Sequence, residues 1–135
     1  MGSVRSSAIN QGFYKVCLEK MMAVNRGALL GKFNAHLILF AAKVSIVLYE
    51  FSGAMGWANK ALVLGYTLGD QELILKCYKV LGDVNDLLKR PQEALMYYTK
   101  YLCYALCLGN RSAEALAYDF IGMQYFHLDQ ITKSN

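Results

Sequence analysis

Cys103 and Cys107 stand four residues apart in the stretch ALMYYTKYLCYALCLGN, residues 94–110, and would share one face of a helix. Two thiolates so placed could act as soft metal ligands. A tetrahedral zinc site needs two more, and neither His36 nor His127 belongs to a paired-ligand motif, so no metal is expected. Asp83 and Asp86 form a carboxylate pair that could do acid–base work. Three apart on an amphipathic helix, they read as its solvated face. The chain has no G-x-S-x-G elbow, phosphate loop, G-x-G-x-x-G fingerprint or H-E-x-x-H helix. No catalytic residue and no cofactor are expected, and the chain reads as a non-enzyme.

The same stretch holds four tyrosines and a single charge, Lys100. Stacking of nucleobases calls for aromatics interleaved with lysine or arginine, so nucleic acid is not expected as a partner. As a helix, Ala94, Tyr98, Tyr101 and Ala105 would form one face, with Met96, Cys103 and Cys107 on others. A helix apolar almost all round demands cover on several sides. Something must be stacked against it.

At 135 residues and 56% hydrophobic the chain can bury one core, and 18% charged residues is unlike a disordered segment. One proline, eleven glycines and long apolar runs favour helices over a many-stranded sheet, hence an all-α chain. The net charge of +4 is unevenly placed. Residues 1–50 carry Arg5, Lys15, Lys20, Arg26, Lys32 and Lys43 against Glu19 and Glu50, while the rest is balanced. That excess would favour an acidic partner. Cys17, Cys77, Cys103 and Cys107 lie in apolar contexts without framework spacing and read as reduced, mostly buried thiols of a cytoplasmic protein. Asn110-Arg111-Ser112 matches a glycosylation acceptor that would be inert there.

The run HLILFAAKVSIVLYEF, residues 36–51, has Lys43 at its middle and falls short of the roughly 20 apolar residues a bilayer requires. It reads as a core helix rather than a membrane span. The opening MGSVRS matches the pattern for lipidation of Gly2, and an ordinary terminus explains it as well.

These elements repeat with a period of 40 residues. Leu68-Gly69-Asp70 recurs as Leu108-Gly109-Asn110, Tyr78 as Tyr118, Gly82 as Gly122, and Leu88 as Leu128; Ala54, Lys60 and Leu62 recur as Ala94, Lys100 and Leu102. Helices are expected over 8–25, 33–51, 54–67, 71–88, 92–108 and 112–128. The glycines suit left-handed caps, and Arg90-Pro91 suits a join between helices. Phe13 to Arg26 looks like the second helix of a still earlier unit, since Lys15 and Asn25-Arg26 line up with Lys100 and Asn110-Arg111.

Tyr78-x2-Leu81-Gly82-x2-Asn85 followed by Ala94-x3-Tyr98-x2-Tyr101 resembles the tetratricopeptide repeat. Tyr118-x2-Ile121-Gly122-x2-Tyr125 opens the next unit likewise, and Ile38-x2-Ala41-Ala42-x2-Ser45 with Ala54-x3-Ala58-x2-Ala61 forms the preceding one. The period exceeds the family's usual 34, as in its long-period subgroup, and the family's proline near the end of the second helix is absent. The resemblance implies antiparallel helical hairpins stacked as a short right-handed superhelix. It would be one array over 1–135: an N-terminal helix to about 32, hairpins over 33–67 and 71–108, and 112–128 as the first helix of an incomplete hairpin.

The resemblance further implies a groove lined by the first helix of each hairpin. Carried onto this chain, it comprises His36, Leu39, Lys43 and Val47; Lys76, Lys79, Asp83 and Asp86; and Leu116, Asp119, Met123 and His127. Lys79 fits a carboxylate clamp, but Asp83 would repel a carboxylate, so a mixed-charge helix or extended segment is the expected ligand. With no second helix after Leu128, Ala117, Phe120, Ile121, Tyr125 and Phe126 should form an open apolar edge for another subunit, another protein or further chain. The implied function is a non-enzymatic protein-interaction scaffold or adaptor within a larger intracellular assembly. Alternatives are a structural component of a ciliary axoneme or other microtubule-based complex, and a peptide- or ligand-responsive regulator.

Overall fold

The computed structural model describes the backbone of residues 2–134 and their side chains except those of residues 2–9, 21, 24, 25, 28 and 29. The Met-Gly start of the lipidation pattern lies outside the described side chains. The described residues form five helices: α1 (Gly2–Val47), α2 (Phe51–Leu68), α3 (Gln71–Leu87), α4 (Pro91–Leu108) and α5 (Arg111–Ser134). No strand occurs among them.

Local chemistry sets the turns. Tyr49, Gly69, Lys89 and Gly109, spaced twenty apart, all take left-handed φ angles of 58–66°. Each closes the preceding helix in the same way, the next amide reaching back to a carbonyl of the last turn: Asp70 N to Gly65 O at 3.0 Å, Asn110 N to Ala105 O at 3.0 Å. Asp70 and Asn110 then cap the following helices, accepting from Leu73 N (3.2 Å) and Ala113 N (3.0 Å). The Asn110 side chain of the glycosylation match is thus engaged as a cap.

Consecutive helices run antiparallel. Leu68 meets Gly31 while Gly53 lies near Ser45, and Tyr98 meets Gly82 while Lys100 and Tyr104 lie against Tyr78. Ala35, Ala42, Ala54, Ala58 and Ala61 are fully buried along the α1–α2 seam, where small side chains let the helix axes draw close. Larger residues fill the centre: Leu73, Cys77, Leu81 and Val84 of α3 have no exposed surface. Burying each large aliphatic side chain is worth roughly 1.5–3 kcal/mol. α3 is the most enclosed element, packed between α2 and α4 and touching α1. The result is an all-α helical repeat fold.

Several expectations require correction. Residues 8–25 and 33–47 belong to one unbroken helix of 46 residues, not two. In the register that pairs Asn25-Arg26 with Asn110-Arg111, Val24 stands where Gly109 caps α4. A β-branched residue resists the left-handed conformation, so no turn forms. The first turn falls at residues 48–50, ahead of the expected break, and α5 runs to Ser134 instead of ending at 128.

The apolar run of α1 is a core helix on one side only. Ala35, Leu39, Ala42 and Ser45 face α2 and α3 and are buried, whereas Phe33, Leu37, Phe40, Val44 and Val47 form an exposed stripe. Leu30–Val47 is long and apolar enough to cross a membrane, with 22% of it buried. All four cysteines are unpaired, but only Cys77 is buried; Cys17, Cys103 and Cys107 are exposed. α4 likewise leaves Met96 and Leu106 uncovered.

Candidate partner-binding groove

α3 carries the candidate site because its ends and its neighbours are fixed by packing. Lys79, Asp83 and Asp86 follow one another by four and three residues, which brings them to one helix face. Asp83 is held twice. Lys79 Nζ donates to Oδ2 at 2.8 Å, and the Tyr98 hydroxyl donates to Oδ1 at 2.5 Å. Tyr98 in turn stacks on Phe120 of α5 (centroids 4.8 Å apart), over which the Lys79 ammonium sits at 5.3 Å. Burial first, then the Asp83 bond and its charge, push the Tyr98 phenol well above its ordinary range. The hydroxyl is therefore a fixed donor.

Two hollows of about 320 Å³ flank this cluster. One lies between α1 and α3, bounded by Lys43, Ile46, Lys76, Lys79, Val80 and Asp83. The other lies between the end of α3 and α5, bounded by Asp86, Lys89, Pro91, Gln124, His127, Gln130 and Ile131. In the second, Gln124 Nε2 donates to Asp86 Oδ1 at 2.9 Å, and His127 Nε2 lies 3.8 Å from the same oxygen. A third hollow, under the Gly69 turn near Lys32 and Asp70, is remote from these residues. Electrostatically the first hollow is the more open. Among the described residues, Lys43 and Lys76 belong to no ion pair, while Lys79 is neutralised by Asp83.

The structure thus brings Lys43, Lys76, Lys79 and Asp83 together around one hollow, and Asp86 and His127 around the other. His36, Asp119 and Met123 are exposed and line neither, as are Val47 and Leu116. Leu39 is 3% exposed and belongs to the core, because it lies on the α1 face turned toward the other helices. Of the expected open edge, Tyr125 and Phe126 are exposed. Phe120 is half-buried under Lys79 and against Tyr98 and Tyr101, and lines neither hollow. Ala117 is fully buried. Ile46 and Gln124 line the hollows without a signal in the sequence, and Tyr98, itself buried, holds Asp83 in place from outside them.

Tyr66, Tyr78 and Tyr104 build a network on the α2–α3–α4 seam. Tyr66 and Tyr78 share a hydroxyl contact of 2.5 Å, and Tyr104 donates to Tyr66 at 3.1 Å. The bonds from Tyr104 and Tyr78 lower the Tyr66 phenol, whereas burial, then the Tyr66 contact, raises Tyr78. Lys100 lies 5.5 Å from the Tyr78 ring. These rings are tied to one another along a seam between helices.

No protein-family model matches the chain, and no curated protein matches it. The fold and site define a class nonetheless: an all-α array of helical hairpins with two hollows beside its central helix, rimmed by charged side chains.

Proposed function

We propose that this chain is a non-enzymatic, tetratricopeptide-like scaffold of the cytoplasm that binds protein within a larger assembly. The observation that carries this reading is the hollow between α1 and α3, where Lys43 and Lys76 stand beside an Asp83 already matched by Lys79. A groove with two uncommitted ammonium groups on an apolar floor suits a helical or extended segment that presents carboxylates and an apolar face. The unpaired thiols support a reducing compartment. Binding of fluorescent acidic amphipathic peptides, read by anisotropy, tests the proposal. Lys43→Glu with Lys76→Glu should weaken it at least tenfold and leave the helical circular dichroism intact. Unchanged affinity removes the groove from consideration.

A more specific reading seats the chain in a microtubule-based assembly, such as a ciliary axoneme. The excess of basic residues on α1, six against one acidic, favours acidic filament surfaces such as tubulin. Co-sedimentation with polymerised tubulin, lost on reversing Lys15, Lys20 and Arg26 to glutamate, tests it. The exposed stripe of α1 favours a contrasting reading, in which that helix lies against lipid. Flotation with phosphatidylcholine–phosphatidylserine vesicles separates the two.

A further inference from the structure

The two ends of this array are complementary to each other. On α3, Tyr78 (4% exposed), Leu81, Gly82 and Asn85 are buried, and α4 meets Gly82 with Tyr98 and Tyr78 with Tyr97 and Tyr104. Forty residues on, α5 repeats them as Tyr118, Ile121, Gly122 and Tyr125, and here Tyr118 is 55% exposed and Gly122 open. A Cβ at Gly82 would meet the Tyr98 ring at 2.5 Å, whereas one at Gly122 would meet nothing within 4 Å. α5 therefore displays an empty copy of the surface on which α4 lies.

The segment built to fill it is the projecting half of α1. In the register 85 residues back from α4, Phe13 takes the place of Tyr98, Lys15 that of Lys100, and Val16 that of Tyr101. Phe13 is 71% exposed, and Tyr14, Val16 and Met22 are exposed with it. The substitutions match in pairs. Where the Tyr98 hydroxyl meets Asp83, Phe13 has no hydroxyl, and the residue forty after Asp83 is the apolar Met123. Where Lys100 lies over Tyr78, Lys15 would lie over Tyr118. Lys20 replaces the buried Ala105, at the end of the antiparallel pair where α5 carries Glu114. Charge agrees as well: Lys15, Lys20 and Arg26 against Glu19 on one element, Glu114, Asp119 and Asp129 against Arg111 and Lys133 on the other.

We infer that the N-terminal half of α1 docks on α5 of a second copy of this chain, with Phe13 seated over Gly122 as Tyr98 is seated over Gly82. The unbroken α1 makes this contact intermolecular, because no turn returns residues 13–26 to their own body. It is a heterologous, head-to-tail contact, which builds rings or open filaments. The contact lies apart from the α3 groove, so its failure would leave the groove reading standing.

Light scattering across concentration, without any peptide present, tests it. The wild-type chain is expected to gain mass with concentration. Phe13→Asp removes the plug and Gly122→Leu fills the socket. Both positions are exposed, and helical circular dichroism confirms that each variant folds. Each variant alone is expected to be a monomer, and their equimolar mixture a dimer that grows no further, since one intact plug and one intact socket remain. A wild-type chain that stays monomeric, variants that assemble as it does, or a mixture that stays monomeric would each overturn the inference.

Discussion

The ring of Tyr98 lies directly over Gly82, so close that a Cβ there would stand 2.5 Å from ring carbon Cε1. The absence of one methyl group thus sets the distance between α3 and α4, and through the Tyr98 hydroxyl it places Asp83 in the groove.

Gly82→Ala should destabilise the chain by about 1–3 kcal/mol, since backbone and ring must both give way. Gly122→Ala, at the equivalent open position, should stabilise the monomer by up to about 1 kcal/mol through helix propensity. Urea unfolding at low protein concentration, in a Phe13→Asp background, compares the two. Equal effects would show that the Tyr98 contact carries no strain on substitution.

Stability should fall at alkaline pH. Burial pushes the Cys77 thiol up to about 12 and, with the Asp83 bond, raises the Tyr98 phenol; burial also raises Tyr78 and Tyr101. In the unfolded chain these protons leave near the ordinary values of 9.0 for the thiol and 10.0 for the phenols. Above that range the unfolded state binds fewer protons than the folded one, so each raised group withdraws stability as pH climbs toward its folded value. Tyr66, lowered by its two hydroxyl neighbours, opposes this in part. Urea midpoints should hold steady up to about pH 9 and then decline. Tyr98→Phe should flatten the decline.

Thiol accessibility should divide three to one. Cys17, Cys103 and Cys107 are exposed and should react with an aromatic disulfide reagent in the native state. Cys77, fully buried with its thiol pushed up to about 12, should react only on unfolding. Four fast thiols at neutral pH would contradict the packing of α3.

Lys89 holds a left-handed φ of 58° without the freedom of glycine. Lys89→Gly should therefore stabilise the chain by about 0.5–1 kcal/mol, and Gly109→Ala, at φ 66°, should cost about 1–2 kcal/mol. Thermal unfolding midpoints that move in opposite directions would bear this out.

Much of the fold was legible because its signals are local. Leu-Gly-Asp and Leu-Gly-Asn announced their caps, and Ala94, Tyr98, Tyr101 and Ala105 share a face and are all buried. What sequence did not yield was coverage. Periodicity says that Phe33, Leu37 and Phe40 share a side of α1, or that Cys103 and Cys107 share a side of α4. It does not say whether a neighbour lies there, because that depends on helices distant in sequence. The groove failed and succeeded for the same reason. Leu39 and Lys43 are four apart on one helix, yet small differences in rotation put the first in the core and the second at the hollow's rim. Val24 misled differently: the match at Asn25-Arg26 was read, but the missing glycine beside it decided the backbone.

The regular turns have a consequence for how the chain acquires this shape. Each helix packs chiefly on the one before and the one after, and the contacts that reach further, α1 with α3, Tyr66 with Tyr104 and Asp86 with Gln124, skip a single helix. Loops to be closed are short, so little chain entropy is lost before a contact is gained, and such topologies fold on microsecond-to-millisecond scales. A hairpin emerging during synthesis can assemble at once on its predecessor. The order of elements along the chain is then also the order in which they can be built.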